Sequence, residues 1–178
     1  MQKPLIILSS ARKQSDTRDF VEKVFGGTDH DLIDLLDHRI APFDYDGIYP
    51  ENDEFMKVMD EMLSHQVIVF ATPVYWYAMS GLLKNFFDRF TDIVTVKKQV
   101  GRKLKGKSIF LIAVGAEEKL PPGFELPFKN TSDYLDMNFV ESIYNSIKST
   151  SKNQEQELLI KKFVKKIKEA IRHPHQEL

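Results

Sequence analysis

Apolar residues run without interruption through Leu5–Leu8, residues 67–71 and, within the run 108–114, from the residue after Ser108 to Val114. Short runs with no polar face read as strands of a parallel sheet covered on both sides. Residues 31–36 mix Leu32, Ile33, Leu35 and Leu36 with Asp31 and Asp34, as for a strand nearer an edge. Residues 138–147, where Phe139, Ile143 and Tyr144 sit among polar neighbours, are a weaker fifth candidate. Between these runs the apolar period becomes helical. Phe20, Val21, Val24 and Phe25 share one face, with Ser15 or Asp16 to cap it and Gly26-Gly27 to stop it. Phe55, Met59, Met62 and Leu63 form a second stripe. Leu82, Leu83, Phe86, Phe87 and Phe90 form a third, with Ser80 as cap and Lys84/Asp88 paired on its outer face. Ile160, Phe163, Val164, Ile167 and Ile171 form the last, after a polar linker at 149–154; a short helix is expected around 130–136.

Strand and helix alternate along the whole chain of 178 residues. This predicts one α/β domain over 1–178: a three-layer flavodoxin-like fold whose five-stranded parallel sheet has the order 2-1-3-4-5, with helices on both faces. In such sheets ligands bind beyond the carboxyl ends of the strands, at the switch point. The loops after Leu8, Ala71 and Val114 are therefore the places to look for function.

Composition narrows the chemistry. There are 0 cysteines, which removes disulfides, thiolate nucleophiles, cysteine-ligated zinc and iron–sulfur clusters. A net charge of -1 argues for no nucleic-acid partner. The N-terminal apolar run is too short for a signal peptide, and no stretch approaches a membrane span. The expectation is a cytoplasmic protein with no membrane partner.

The loop Ser9-Ser10-Ala11-Arg12-Lys13-Gln14-Ser15-Asp16-Thr17 carries four hydroxyls and two cations into a helix N-terminus. Free N–H groups and the helix dipole favour an anion there, and a guanidinium can grip a phosphate. Neither a Walker pattern nor G-x-G-x-x-G is present. A polar loop that only caps the helix is the competing reading. After the third strand, Ala71-Thr72-Pro73-Val74-Tyr75-Trp76-Tyr77-Ala78-Met79-Ser80-Gly81 places three consecutive aromatics between a strand and a capped helix. Consecutive loop residues cannot all enter one core. Some of this surface faces a flat ligand, a neighbouring loop or another subunit.

These two segments resemble the NADPH-dependent FMN reductases. Residues 9–17 are similar to that family's G-S-x-R-x-x-S-x-T phosphate loop. Residues 72–89, Thr72-Pro73-Val74-Tyr75 through Ser80, Leu83-Lys84 and Asp88-Arg89, are similar to its T-P-x-Y-x-x-x-x-S-x-x-L-K-x-x-x-D-R segment. The resemblance implies FMN as cofactor and NAD(P)H as co-substrate. It places the phosphate at Ser10, Arg12, Ser15 and Thr17, with Asp16 in the same loop, and the flavin ring against Pro73, Val74, Tyr75, Trp76 and Tyr77. A third loop contributes Gly115, Ala116 and Glu117. Trp76 and Tyr77 would shape the substrate pocket. No side chain is assigned a catalytic role, since the flavin carries the chemistry. Electrons would pass from NAD(P)H to a small-molecule acceptor, a quinone, a nitro or azo compound or free flavin, in ping-pong order, and the protein would be a homodimer. A non-enzymatic carrier or FMN-binding protein is the alternative; flavodoxin-type carriers resemble T/S-x-T-G-x-T at the phosphate loop, which is absent here. Two positions depart from the family pattern. Ser9 stands where glycine is frequent, and the loop 115–127 is long enough to be a lid.

Three other clusters have simpler readings. Asp29, His30, Asp31, Asp34, Asp37 and His38 follow strand-edge spacing, so no metal is expected. The basic residues between Lys97 and Lys107 read as a solvated connection, and Lys161, Lys162, Lys165, Lys166 and Lys168 as the wet face of the last helix. Residues 37–50, with Tyr45 and Tyr49, read as a loop that covers the sheet edge or reaches toward a partner's flavin. His173 and His175 fall in a tail expected to fray.

Overall fold

The computed structural model describes residues 3–148 and 153–173. The strands are β1 (Leu5–Leu8), β2 (Asp31–Asp34), β3 (Val67–Pro73), β4 (Ser108–Gly115) and β5 (Asn138–Ser146). The helices are α1 (Asp16–Phe25), α2 (Phe55–Ser64), α3 (Gly81–Asp88), α4 (Phe90–Thr95), α5 (Lys98–Arg102), α6 (Leu126–Tyr134) and α7 (Asn153–Arg172). All strand pairs are parallel and the sheet order is β2-β1-β3-β4-β5.

The continuous apolar runs are explained by two cores. Leu5, Ile7, Ile68, Phe70, Ile109 and Leu111 face the layer of α2 to α6. Ile6, Leu8, Val67, Val69, Phe110 and Ile112 face α1 and α7. Successive strand residues point to opposite faces, so a strand buried on both sides has no polar alternate. No helix among the described residues is long and apolar enough to cross a membrane.

Several boundaries differ from the sequence pattern. β2 stops at Asp34, because the Asp34 carboxylate accepts the Leu36 N–H (3.0 Å) and turns Leu35–Asp37 into a 3₁₀ segment. β3 runs on to Pro73, where Thr72 and Pro73 pair with Ala113 and Val114. The third apolar stripe divides into α3 and α4 at Arg89, whose side chain turns inward and is 2% exposed. α6 starts earlier than expected, at Leu126, with Pro127 in its first turn, where a missing N–H is tolerated. β5 is a full strand whose register shifts opposite Ile109 and Phe110.

The basic connection is more structured than expected. Part of it forms α5, and Lys107 is buried. The Lys107 ammonium donates to the Leu63 carbonyl (2.8 Å) and the His65 carbonyl, closing the C-terminus of α2, and burial pulls its pKa down. Residues 149–152 of the expected linker lie outside the described residues, as does His175; Gln154 already belongs to α7. The His173 N–H still bonds the Glu169 carbonyl (2.9 Å), so the helical pattern persists to that point.

Candidate functional site: three loops at the carboxyl end of the sheet

Strand register brings the three expected loops together. Leu8 pairs with Ala71 and Pro73 with Val114, so β1, β3 and β4 end side by side. The order also reverses between β1 and β3, which makes this the switch point.

The loop after β1 is tied down at Ser9 and open further on. The Ser9 N–H donates to the Ala71 carbonyl (2.8 Å), and the Ser80 hydroxyl donates to Ser9 Oγ (3.0 Å). Ser80 in turn caps α3 by accepting the Leu83 N–H (3.2 Å). The serine at position 9 therefore couples the ends of β1 and β3 to the start of α3, a task glycine could not perform. Ser15, rather than Asp16, is the cap of α1, and its hydroxyl accepts the Arg18 N–H (3.2 Å). The N–H groups of Asp16 and Thr17 have no acceptor among the described residues. Free donors at a helix start attract an anion.

The two loop cations behave differently. Lys13 is committed to the end of β2, bonding Asp34 (3.1 Å) and Asp37. Its contact with Asp37 holds its pKa above the ordinary lysine value. Arg12 has a side chain 73% exposed and lies 3.9 Å from Asp16, leaving its guanidinium able to turn toward a ligand. A cleft of about 610 Å³ opens here, lined by Arg12, Lys13, Gln14, Ser15, Asp16 and Asp19. Ser10 and Thr17 are each 2% exposed beside it. Asp16 can meet an anion only through its backbone N–H, because its carboxylate carries the same sign.

The aromatic loop is a two-residue hairpin turn. The Tyr75 N–H donates to the Ala78 carbonyl (2.9 Å), and the Ala78 N–H donates back to the Tyr75 carbonyl (3.0 Å). Between them Trp76 (φ 48) and Tyr77 (φ 66) both adopt the left-handed conformation. A turn with two positive φ angles normally takes Asn-Gly. Here two aromatics hold it, each against a cost of roughly 1–2 kcal/mol. Little among the described residues covers them in return: Trp76 is 94% and Tyr77 64% exposed. The feet of the turn are fixed. The Val74 N–H bonds the Val114 carbonyl (2.7 Å), and the Ser80 N–H bonds Thr72 Oγ1 (3.0 Å).

The third loop leaves β4 at Gly115. A Cβ there would come 2.9 Å from the Tyr144 hydroxyl and 3.0 Å from the Val74 Cβ, so any larger residue would push the two loops apart or displace Tyr144. Tyr144 donates to the Glu117 carbonyl (2.8 Å), fixing the path of Ala116 and Glu117, and burial raises its pKa. The long loop is not a free lid along its length: Pro121 and Phe124 are buried, and Phe124 packs on Phe128. Exposed residues, 117–119, 122–123 and 126–127, alternate with these buried anchors. At the end of β5 the Ser146 hydroxyl is buried beside Asp16 and Asp19 with no partner among the described residues, next to the Ile147 N–H that bonds the Gly115 carbonyl (2.8 Å).

Sequence reasoning missed the anchor of residues 38–54. Arg89 makes a two-pronged pair with Asp53 (2.9 and 3.0 Å), bonds Asp92 (2.7 Å) and the Ala41 carbonyl (3.0 Å), and lies 3.5 Å from the Tyr49 ring centroid. Burial works against the Arg89 charge, and the two carboxylates more than offset it, leaving its pKa raised. The one signal in the sequence was a charged Asp-Arg pair ending an apolar stripe. The segment so held covers the helices beside the site and presents Tyr45, 96% exposed.

These features fit a flavin mononucleotide. Free helix-start N–H groups, buried hydroxyls and an available guanidinium suit the phosphate. A glycine-relieved wall and exposed aromatic rings suit the ring system. Comparison with known proteins agrees. Residues 3–152 match the profile of the NADPH-dependent FMN reductases. YwqN of Bacillus subtilis, assigned as an NAD(P)H-dependent FMN-containing oxidoreductase, is 27% identical over 143 residues, covering 75% of this chain and 79% of that protein. An FMN-dependent NADPH-azoreductase of Staphylococcus haemolyticus is 31% identical over 108 residues, 56% of this chain and 57% of that protein. In fold, the chain resembles general stress protein 14 of Treponema denticola, solved in complex with FMN, with a TM-score of 0.65 and 18% identity over 94% of this chain and 98% of that one. With a matched segment that spans all three loops, the chain belongs to the NADPH-dependent FMN reductase family, oxidoreductases with FMN as cofactor and NAD(P)H as co-substrate.

Proposed function

We propose that this protein transfers electrons from NAD(P)H to a small, flat acceptor, a quinone, a nitro or azo compound or free flavin, with donor and acceptor using one pocket in turn. Bound FMN supplies the two-electron chemistry; the protein supplies binding, orientation and access. Ser10, Arg12, Ser15 and the N–H groups of Asp16 and Thr17 hold the phosphate. Pro73, Val74 and the backbone of Tyr75 line the ring on one side, and Gly115, Ala116 and Glu117 on the other. Trp76 and Tyr77 form the outer wall against which a planar substrate stacks.

The observation that carries this reading is the strained, uncovered Trp76-Tyr77 turn beside the anion loop. Two left-handed aromatics exposed to water serve no packing role, and strain of this kind persists where function uses it. The likeness to an azoreductase supports the acceptor class. The exposed aromatic surface also supports a homodimer with the site near its interface, to be checked by light scattering against the 20.7 kDa chain mass.

The test is steady-state NAD(P)H oxidation by the FMN-loaded protein with a panel of quinone, azo, nitro and flavin acceptors. Parallel double-reciprocal lines, and Trp76→Ala changing the ranking of acceptors more than FMN affinity, are expected. Absence of turnover with every acceptor would leave the chain an FMN-binding carrier.

A further inference from the structure

On the side of the sheet away from α2 to α6, helices α1 and α7 enclose a groove of about 530 Å³ that the flavin chemistry does not use. Its lining on α1 comes from the C-terminal end, Lys23 to Gly26, whereas the phosphate loop meets the N-terminal end about 15 Å away. Five cations line it, Lys23, Lys161, Lys165, Lys168 and Arg172, against one carboxylate, Glu169. The whole chain carries a net charge of -1, so this is a local field and not a reflection of composition.

We infer that this groove is a docking site for an acidic, amphipathic protein segment. The α7 cations fall at i, i+4, i+7 and i+11, a single row about 16 Å long on one helix face. Carboxylates at the same spacing on a partner helix would lie opposite them. Lys161, Lys168 and Arg172 have no carboxylate partner among the described residues, while Lys165 is shared with Glu169 (3.6 Å) and Lys23 meets the neutral Gln156. Lys166, by contrast, points elsewhere and pairs with Glu141. The floor is apolar, formed by Val24, Ile160 and Val164, which suits leucine-type anchors. No aromatic ring lines the groove, so it lacks the stacking platform of a single-strand nucleic-acid site. Its concavity matches a helix rather than a bilayer surface.

The probe is a synthetic helical peptide with Glu at i, i+4, i+7 and i+11 and Leu on the adjoining face, labelled for fluorescence anisotropy with the FMN-loaded protein. Saturable one-to-one binding that weakens with salt is expected. The triple variant Lys161→Glu, Lys165→Glu, Lys168→Glu should lose at least about tenfold in affinity, whereas Lys97→Glu with Lys98→Glu at the start of α5 should change it less than about twofold. NAD(P)H oxidation should be unchanged in both. If charge reversal causes loss of FMN, the Lys→Gln triple is read in its place. Absence of saturation, or equal losses in the α5 control, overturns the inference. So does tighter binding of a single-stranded oligonucleotide or of phosphatidylserine vesicles through the same three lysines.

Discussion

Replacing Trp76 by Asn should make the flavin-free protein more stable and the enzyme worse. Trp76 sits at φ 48 with 94% of its surface in water. A left-handed L-residue costs roughly 1–2 kcal/mol, and asparagine tolerates that region far better than tryptophan. The side chain removed buries almost nothing, so at about 25 cal/mol per Å² the lost burial amounts to a few tenths of a kcal/mol. The balance is a gain of about 1 kcal/mol, which for a chain of this size raises Tm by roughly 2–4 °C. Thermal unfolding after removal of FMN isolates this effect from ligand linkage. Acceptor turnover by the loaded protein should fall in the same variant, because the stacking wall is gone. A lower Tm without flavin would show that Trp76 is held by packing and that the turn is not a functional strain. Unchanged turnover with every acceptor would remove Trp76 from the pocket.

Arg12→Ala should weaken FMN far more than riboflavin, by about 1–3 kcal/mol, since a charge-assisted contact to the phosphate is lost; equal losses in fluorescence titrations would place Arg12 off the phosphate. Arg89→Met should destabilise the protein by about 3–5 kcal/mol in urea unfolding, leaving the Asp53 and Asp92 carboxylates buried and uncompensated. A loss under about 1 kcal/mol would mean the clamp is solvated. The Glu54 carboxyl accepts the Arg39 N–H and pairs with Lys57, which hold its pKa down at about 2. A carboxyl depressed in the folded state contributes stability above its ordinary value and loses it as pH falls through the folded one. Pepsin cleavage within residues 40–50 should therefore be faster in Glu54→Gln than in the native protein at about pH 4.5, and the ratio should fall toward one as the pH approaches 2. Identical pH profiles for the two proteins would assign the change to another group.

The sheet was legible because burial on both faces leaves uninterrupted apolar runs, as in Leu5–Leu8 and residues 109–114. The anion-attracting character of the loop after β1 was legible for a related reason: hydroxyls, cations and a helix start are adjacent in sequence. Less local features were not. That Lys13 is spent on Asp34 and Asp37 while Arg12 stays available depends on where β2 ends. The left-handed state of Trp76 and Tyr77 contradicts their own preferences and is imposed by bonds at Val74 and Ser80. The burial of Arg89 has no local signal, because Asp53, Tyr49 and Ala41 reach it from about 40 residues away. A lysine at 107 reads as solvated until two carbonyls of the α2 terminus close on it.

Anaerobic rapid mixing of the FMN-loaded protein with NAD(P)H, followed by a quinone, tests the central claim most directly. NAD(P)H alone should bleach the flavin absorbance at least as fast as steady-state turnover, and the quinone should restore it without further nucleotide. Bleaching far slower than turnover would contradict sequential use of one pocket. Failure of NAD(P)H to bleach the flavin at all, with FMN bound, would contradict the assignment of this site as an NAD(P)H oxidoreductase centre.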